Sequence, residues 1–132
     1  MTQLADTNIV AELVRKRPDS GVVAWAGRAT SVALSVVSVE EVYFGLSWHR
    51  NDRVLDWFER FLDLHCEVLP ITGAIAHRAG WLRGELRRRG QTRTQADMLI
   101  AASAQVHGLT LVTRNERDFR GCGIPILNPF RE

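Results

Sequence analysis

Short β-branched runs alternate along this chain with longer stretches of helical period, and that alternation limits the fold more than any other feature. Candidate strands are residues 4–6, 31–37 (SVALSVV), 66–69, 109–113 (LTLVT) and 124–127. Helical period runs through Ile9, Val10 and Leu13 up to Pro18, and again around Val22, Val23 and Trp25. It returns over residues 39–48, 52–64, 72–89 and 96–107, the last two stretches closed by Gly90 and Gly108. The connections are too long for hairpins, so the chain is predicted to form a mainly parallel sheet with helices on both faces, a three-layer α/β/α domain. With 132 residues, one domain over 1–132 is expected, large enough to bury a core without a disulfide or metal staple. Cys66 and Cys122 stand far apart, which excludes a zinc ribbon or a CxxC pair and reads as two reduced thiols. The first residues lack the basic and apolar regions of a signal peptide, and no run of apolar residues is long enough to span a bilayer, so a cytoplasmic protein is expected.

In open parallel sheets, ligands bind beyond the carboxyl ends of the strands. Four acids fall there: Asp6, Glu41, Asp97 and Asp118. Each has a plainer explanation on its own. Asp6 in Asp6-Thr7-Asn8 suits a helix start, Ser38-x-x-Glu41 and Thr94-x-x-Asp97 have capping spacing, and Asp118 suits a turn. Helical phase favours function for Glu41, because Val39, Val42, Tyr43 and Leu46 define an apolar stripe from which it points away. Gly45, one turn on, leaves room beside it, and Glu40 is the second choice. Together, four converging carboxylates would repel one another unless a cation neutralised them, and oxygen ligands without His or Cys select Mg²⁺ or Mn²⁺. That equipment suits phosphodiester hydrolysis by an activated water.

Other carboxylate chemistries lack required residues. A haloacid-dehalogenase-type phosphatase needs a second Asp where Asn8 stands, and a receiver domain needs a Lys beyond Lys16, the only one in the chain. Glycine-rich phosphate loops and the GxSxG elbow are absent. The histidines His49, His65, His77 and His107 match no metal-ligand spacing.

Four segments in order, Leu4-Ala5-Asp6-Thr7-Asn8-Ile9-Val10, Ser38-Val39-Glu40-Glu41-Val42-Tyr43-Phe44-Gly45, Asp97-Met98-Leu99-Ile100-Ala101-Ala102 and residues 107–119, resemble a PIN domain of the kind found in VapC and FitB toxins. The closing Ile126-Leu127-Asn128-Pro129 fits the same pattern, whereas Ala5 stands where the family has a larger apolar residue. The resemblance implies a five-stranded sheet of order 3-2-1-4-5 and a Mg²⁺- or Mn²⁺-dependent endoribonuclease. It implies that Asp6 and Asp97 are the principal metal ligands, that Glu41 and Asp118 complete the catalytic pocket, and that Thr7, Thr113 and Asn115 orient carboxylates or water. It also implies a VapB- or FitA-like antitoxin that binds DNA and so links the toxin to DNA indirectly, and homodimerisation. The alternative is a catalytically silent PIN-like module that binds RNA or a protein partner; four intact carboxylates count against it. Trp48, Trp57, Phe58 and Phe61 are either core or interface residues.

Composition matters at one further point. A net charge of +2 does not by itself announce a nucleic-acid partner, yet residues 83–93 hold five arginines and one glutamate. Arg87, Arg88, Arg89 and Arg93 precede the loop to Asp97, and with Arg114 they are expected to form a rim that contacts RNA phosphates. Arg117 and Arg120 extend it.

Overall fold

Successive residues of a strand face opposite sides, and the central strands use this to build two cores at once. Leu4, Ala33 and Leu111 pack on one face with Leu69, Ile75, Leu82, Leu86, Met98 and Ala101. Ala5, Val32, Leu34 and Val112 pack on the other with Ile9, Val10, Val22, Trp25, Phe58 and Phe61. The computed structural model describes residues 2–29 and 31–131; Met1, Thr30 and Glu132, which the expected 1–132 domain includes, lie outside the described residues.

The elements are β1 (Gln3–Ala5), α1 (Thr7–Leu13), α2 (Ser20–Arg28), β2 (Val32–Ser35), α3 (Val36–Trp48), α4 (Asp52–Leu64), β3 (Cys66–Leu69), α5 (Gly73–Arg88), α6 (Gln95–His107), β4 (Thr110–Val112) and β5 (Ile126–Leu127). All five strands are parallel in the order β3-β2-β1-β4-β5, with Leu4 opposite both Ala33 and Leu111. Helices α5 and α6 cover the first core, and α1, α2 and α4 cover the second. The expected three-layer α/β architecture and strand order are therefore the observed ones. Strand order reverses direction at β1, which puts the crevice at the carboxyl ends of β1, β2 and β4.

Strand β5 is shorter than the expected 124–127 and β1 ends before Asp6, which caps α1; two further boundaries differ, each for a local reason. The run 31–37 reads as one strand because of its β-branched residues, but β2 ends at Ser35, whose side chain caps α3 by accepting the Val37 amide at 3.1 Å. Ser38 consequently sits inside α3 and caps nothing. The first helix ends at Leu13, well before Pro18. Buried Glu12 holds the chain as it turns away, accepting the Asp19 amide at 2.8 Å and pairing with Arg15 at 3.2 Å.

The apolar stripe of α3 is only partly buried. Val39 and Val42 pack on the second core, while Tyr43 meets Phe58 edge-on at the surface and Phe44 and Trp48 are exposed, the latter at 69%. Of the four aromatic residues left open by the sequence, Phe58 and Phe61 are core, Trp57 is half-buried and stacked on Phe61, and Trp48 lies outside. Both cysteines are free, and burial pushes the Cys66 thiol up to about 11 and Cys122 in the same direction. No helix of the described residues is long and apolar enough to cross a membrane.

Candidate active site

Asp6 follows β1 directly, and its amide extends the central ladder by one bond to Val112 O at 2.9 Å. Its side chain therefore emerges where the sheet is most rigid, only 4% exposed, and its oxygens need partners. Three are present. The Thr7 amide donates to Oδ1 at 2.8 Å, and Asn8 Nδ2 and Thr113 Oγ1 donate to Oδ2 at 2.9 and 2.8 Å. Thr113 is held in turn by the Asn115 amide at 3.0 Å. Asn115 thus supports the site through its backbone, and its exposed side chain takes no part in these bonds.

Glu41 reaches the same place from α3. The Thr7 hydroxyl lies 2.8 Å from Glu41 Oε1, to which it donates, and 2.7 Å from the buried Ser38 Oγ. The Ser38–Glu41 spacing therefore serves this contact between α1 and α3 and not a helix cap. A Cβ on Gly45 would meet nothing within 4 Å, in keeping with the room expected beside Glu41. Glu40 makes no such bond with Thr7.

Asp97 lies in the first turn of α6. Thr94 caps that helix by accepting the Asp97 backbone amide at 3.1 Å, which leaves the carboxylate free of the capping role. Asp118 is carried by the 3-10 turn Glu116–Phe119 after β4. Arg93 fastens this turn: its guanidinium donates to the backbone oxygens of Asp118 at 2.6 Å and Arg120 at 2.8 Å, and to Gln91 Oε1 at 3.2 Å. Expected on the RNA rim, Arg93 instead joins the α5–α6 loop to the turn that bears Asp118. Arg87, Arg88 and Arg89 are exposed at the end of α5, and Arg114 lies over the Phe130 ring at 4.6 Å.

Proton affinities reveal the convergence. Burial pushes the Asp6 carboxyl up to about 6, against the hydrogen bonds from Thr113 and Thr7, and the charges of Asp97 and Glu41 add to the rise. Asp97 is also raised, first by burial and then by Asp118 and Glu41, with Thr94 and Arg93 opposing. Asp6 thus feels the charges of Asp97 and Glu41, and Asp97 those of Asp118 and Glu41. For these two, burial and like charge disfavour ionisation, and a cation reverses that preference.

The donors are all oxygens, which suits a hard divalent ion. Mg²⁺ is usually held by one or two carboxylates with water completing its shell. Among the described residues no three His, Cys, Asp or Glu side chains close on a common point, an arrangement compatible with that sparse mode of binding. Asn8 adds a buried Oδ1 with no hydrogen-bond donor beside Asp6.

Sequence reasoning missed Ser38, Asn8 and Thr94 as parts of the site and gave Arg93 a place on the RNA rim without its contacts to the turn that bears Asp118. Thr94 was visible in its capping spacing and Asn8 in its place next to Asp6; nothing in the sequence marks Ser38 or Arg93 as contacts across elements.

The sheet carries acids at the ends of its central strands, and likeness to known proteins supplies the class. The PIN domain family matches residues 4–123, and the chain belongs to it. It is 31% identical to the VapC ribonuclease Y4jK of Sinorhizobium fredii, with 95% of each chain covered. It is 28% identical to the toxin FitB of Neisseria gonorrhoeae over 98% of this chain and 99% of that protein. Among solved structures, the DNA-bound VapBC complex of Salmonella typhimurium superposes with a TM-score of 0.87 at 28% identity, covering 98% of each chain.

Proposed function

We propose that residues 1–132 form a single PIN domain acting as the endoribonuclease toxin of a toxin–antitoxin pair, hydrolysing RNA phosphodiesters with the help of Mg²⁺ or Mn²⁺. The observation that carries this reading is Asp6, a nearly buried carboxylate held by three donors at the sheet's centre while two further acids raise its proton affinity. An acid kept so costly to ionise, with no basic partner among the described residues, is equipped to hold a cation. Relatives named as a VapC ribonuclease and a FitB toxin support the same activity.

Asp6 and Asp97 are assigned as the ligands. Asp6 is the rigid one, because Thr7, Asn8 and Thr113 leave it no other rotamer without losing hydrogen bonds. Glu41 is kept in the pocket by Thr7, and Asp118 is kept there by the grip of Arg93 on its turn. When bound, the ion supplies a water of lowered pKa and offsets charge on the phosphate oxygens. The protein's own contribution is to hold Asp6 rigidly at the sheet and to carry Glu41, Asp97 and Asp118 on the elements around it, so that little reorganisation of Asp6 accompanies attack on the phosphorus.

The partner assigned is a VapB- or FitA-like antitoxin, through which DNA is engaged, in keeping with the VapBC likeness. A homodimer in the cytoplasm completes the reading. The test is cleavage of labelled RNA with Mn²⁺ or Mg²⁺, then with excess EDTA, by the wild type and Asp6→Asn. Metal-dependent cleavage by the wild type alone is expected. Cleavage indifferent to EDTA, or equal in both proteins, refutes the reading.

A further inference from the structure

Arginines recur every third residue at 114, 117 and 120. Arg117 lies within the 3-10 turn Glu116–Phe119, Arg114 precedes that turn, and Arg120 follows it with its amide donating to Arg117 O at 3.3 Å; all three border one recess. A second 3-10 turn, Pro129–Arg131, brings Arg131 to the same place. The four arginines, with Asn115 and Asp118, line a polar recess of about 410 Å³.

Of the two carboxylates that line the recess, Glu116 is committed and Asp118 belongs with the acids of the candidate active site. Glu116 is taken by Arg131 at 3.3 Å and by Asn128 Nδ2 at 2.8 Å. Arg114 is steadied by the Phe130 ring rather than by a carboxylate, and among the described residues the guanidinium groups of Arg117 and Arg120 form no ion pair. A concave surface with several unneutralised guanidinium groups and an amide attracts an anion with several oxygens. Its volume exceeds that of a phosphate group and leaves room for the sugars on either side. The recess also shares Asp118 with the carboxylate cluster, so a strand lying across both surfaces places different linkages on each.

We propose that this recess is a phosphate subsite for single-stranded RNA, holding a backbone linkage that flanks the one presented to the acids. The assignment rests on the ribonuclease reading for the identity of the strand. It differs from a general basic rim in requiring Arg117 and Arg120, and not any exposed arginine pair.

The test measures fluorescence anisotropy of a short labelled single-stranded RNA with the full chain in EDTA, across a salt series. The proteins are the wild type, Arg117→Gln/Arg120→Gln, and Arg87→Gln/Arg88→Gln as the control. Each phosphate neutralised on a single strand contributes a slope of about 0.7 in log K against log salt, so the recess variant, which gives up one linkage, should lose about 0.7 in slope. Its affinity should fall at least about tenfold at low salt, with less loss in the control. The four substituted arginines are exposed and free of ion pairs among the described residues, so unaltered thermal melts are expected and check the fold. An unchanged slope overturns the subsite, as does an equal loss in the control. So does loss of binding to a labelled polyglutamate peptide while RNA binding stays intact, because the recess then serves an acidic protein. Should the wild type cleave no RNA in any metal while the slope still falls only in the recess variant, the ribonuclease reading fails and the subsite stands.

Discussion

Replacing Asp6 with asparagine in the metal-free protein should alter how stability depends on pH, by an amount the structure sets. The Asp6 carboxyl has an ordinary value of 3.8 and is pushed up to about 6 in the fold. A raised folded value means that the native state holds the proton more tightly than the unfolded chain. The resulting stabilisation is fully present below about pH 4 and is lost as pH rises through about 6. Over the whole range this is about 3 kcal/mol, and between about pH 5 and pH 7.5 it is about 1.4 kcal/mol, or tenfold in the unfolding constant. The asparagine amide cannot ionise, so the variant lacks this component. It does lose hydrogen bonding, since one amide oxygen cannot replace two carboxylate oxygens bonded to Thr7, Asn8 and Thr113, but that loss is nearly independent of pH. The informative quantity is therefore the difference between the two proteins as a function of pH. In urea titrations with EDTA, the wild type should lose about 0.7 M in midpoint relative to Asp6→Asn on going from about pH 5 to about pH 7.5. A difference that stays constant across this range would refute the idea that the carboxylate is buried among like charges.

Further outcomes follow from the same contacts. Asp97→Asn should raise the melting temperature of the metal-free protein and reduce its stabilisation by Mn²⁺, whereas Thr94→Ala, which removes the cap on the Asp97 amide, should lower the melting temperature at a cost of about 1 kcal/mol. Arg93→Ala should cost about 2 kcal/mol in urea unfolding through its lost bonds to two backbone oxygens, and Arg93→Lys should recover under half, because an ammonium cannot reproduce the fork. Gly108→Ala should cost about 1 kcal/mol, read from the thermal midpoint, since Gly108 closes α6 at a φ of 65°.

The parallel sheet was legible because alternating patterns leave few ways to cover both faces, and α4 and β3 begin and end where their periodicity says they should. The strand order came from family resemblance, since crossover length alone does not distinguish one neighbour from another. Misreadings cluster where one side chain outweighs a pattern. Ser35 converts Val36 and Val37 from apparent strand into the first turn of α3, and Glu12 shortens α1 by bonding across a loop. The four acids were legible as strand-end or first-turn residues, and the family resemblance implied Thr7 and Thr113 as supports that orient carboxylates, but the partners joined across elements were not legible. Thr7 meets Ser38 and Glu41 across more than thirty positions, and Arg93 meets Asp118 through a backbone oxygen that no residue type announces. Helical phase placed Glu41 outside the core correctly and overstated how much of the facing stripe is covered, as the exposure of Tyr43 shows.

The unequal anchoring of the acids also has a consequence in time. The Asp6 amide is locked to Val112 on the innermost strand pair, whereas the Asp118 amide bonds only to Asn115 O, at 3.1 Å, within its own turn. Amide hydrogens of such different settings exchange with deuterium through different openings, the first near global unfolding and the second through brief local release. The pocket is thus half framework and half clasp: the Asp118 amide is expected to exchange many times over before the Asp6 amide exchanges once.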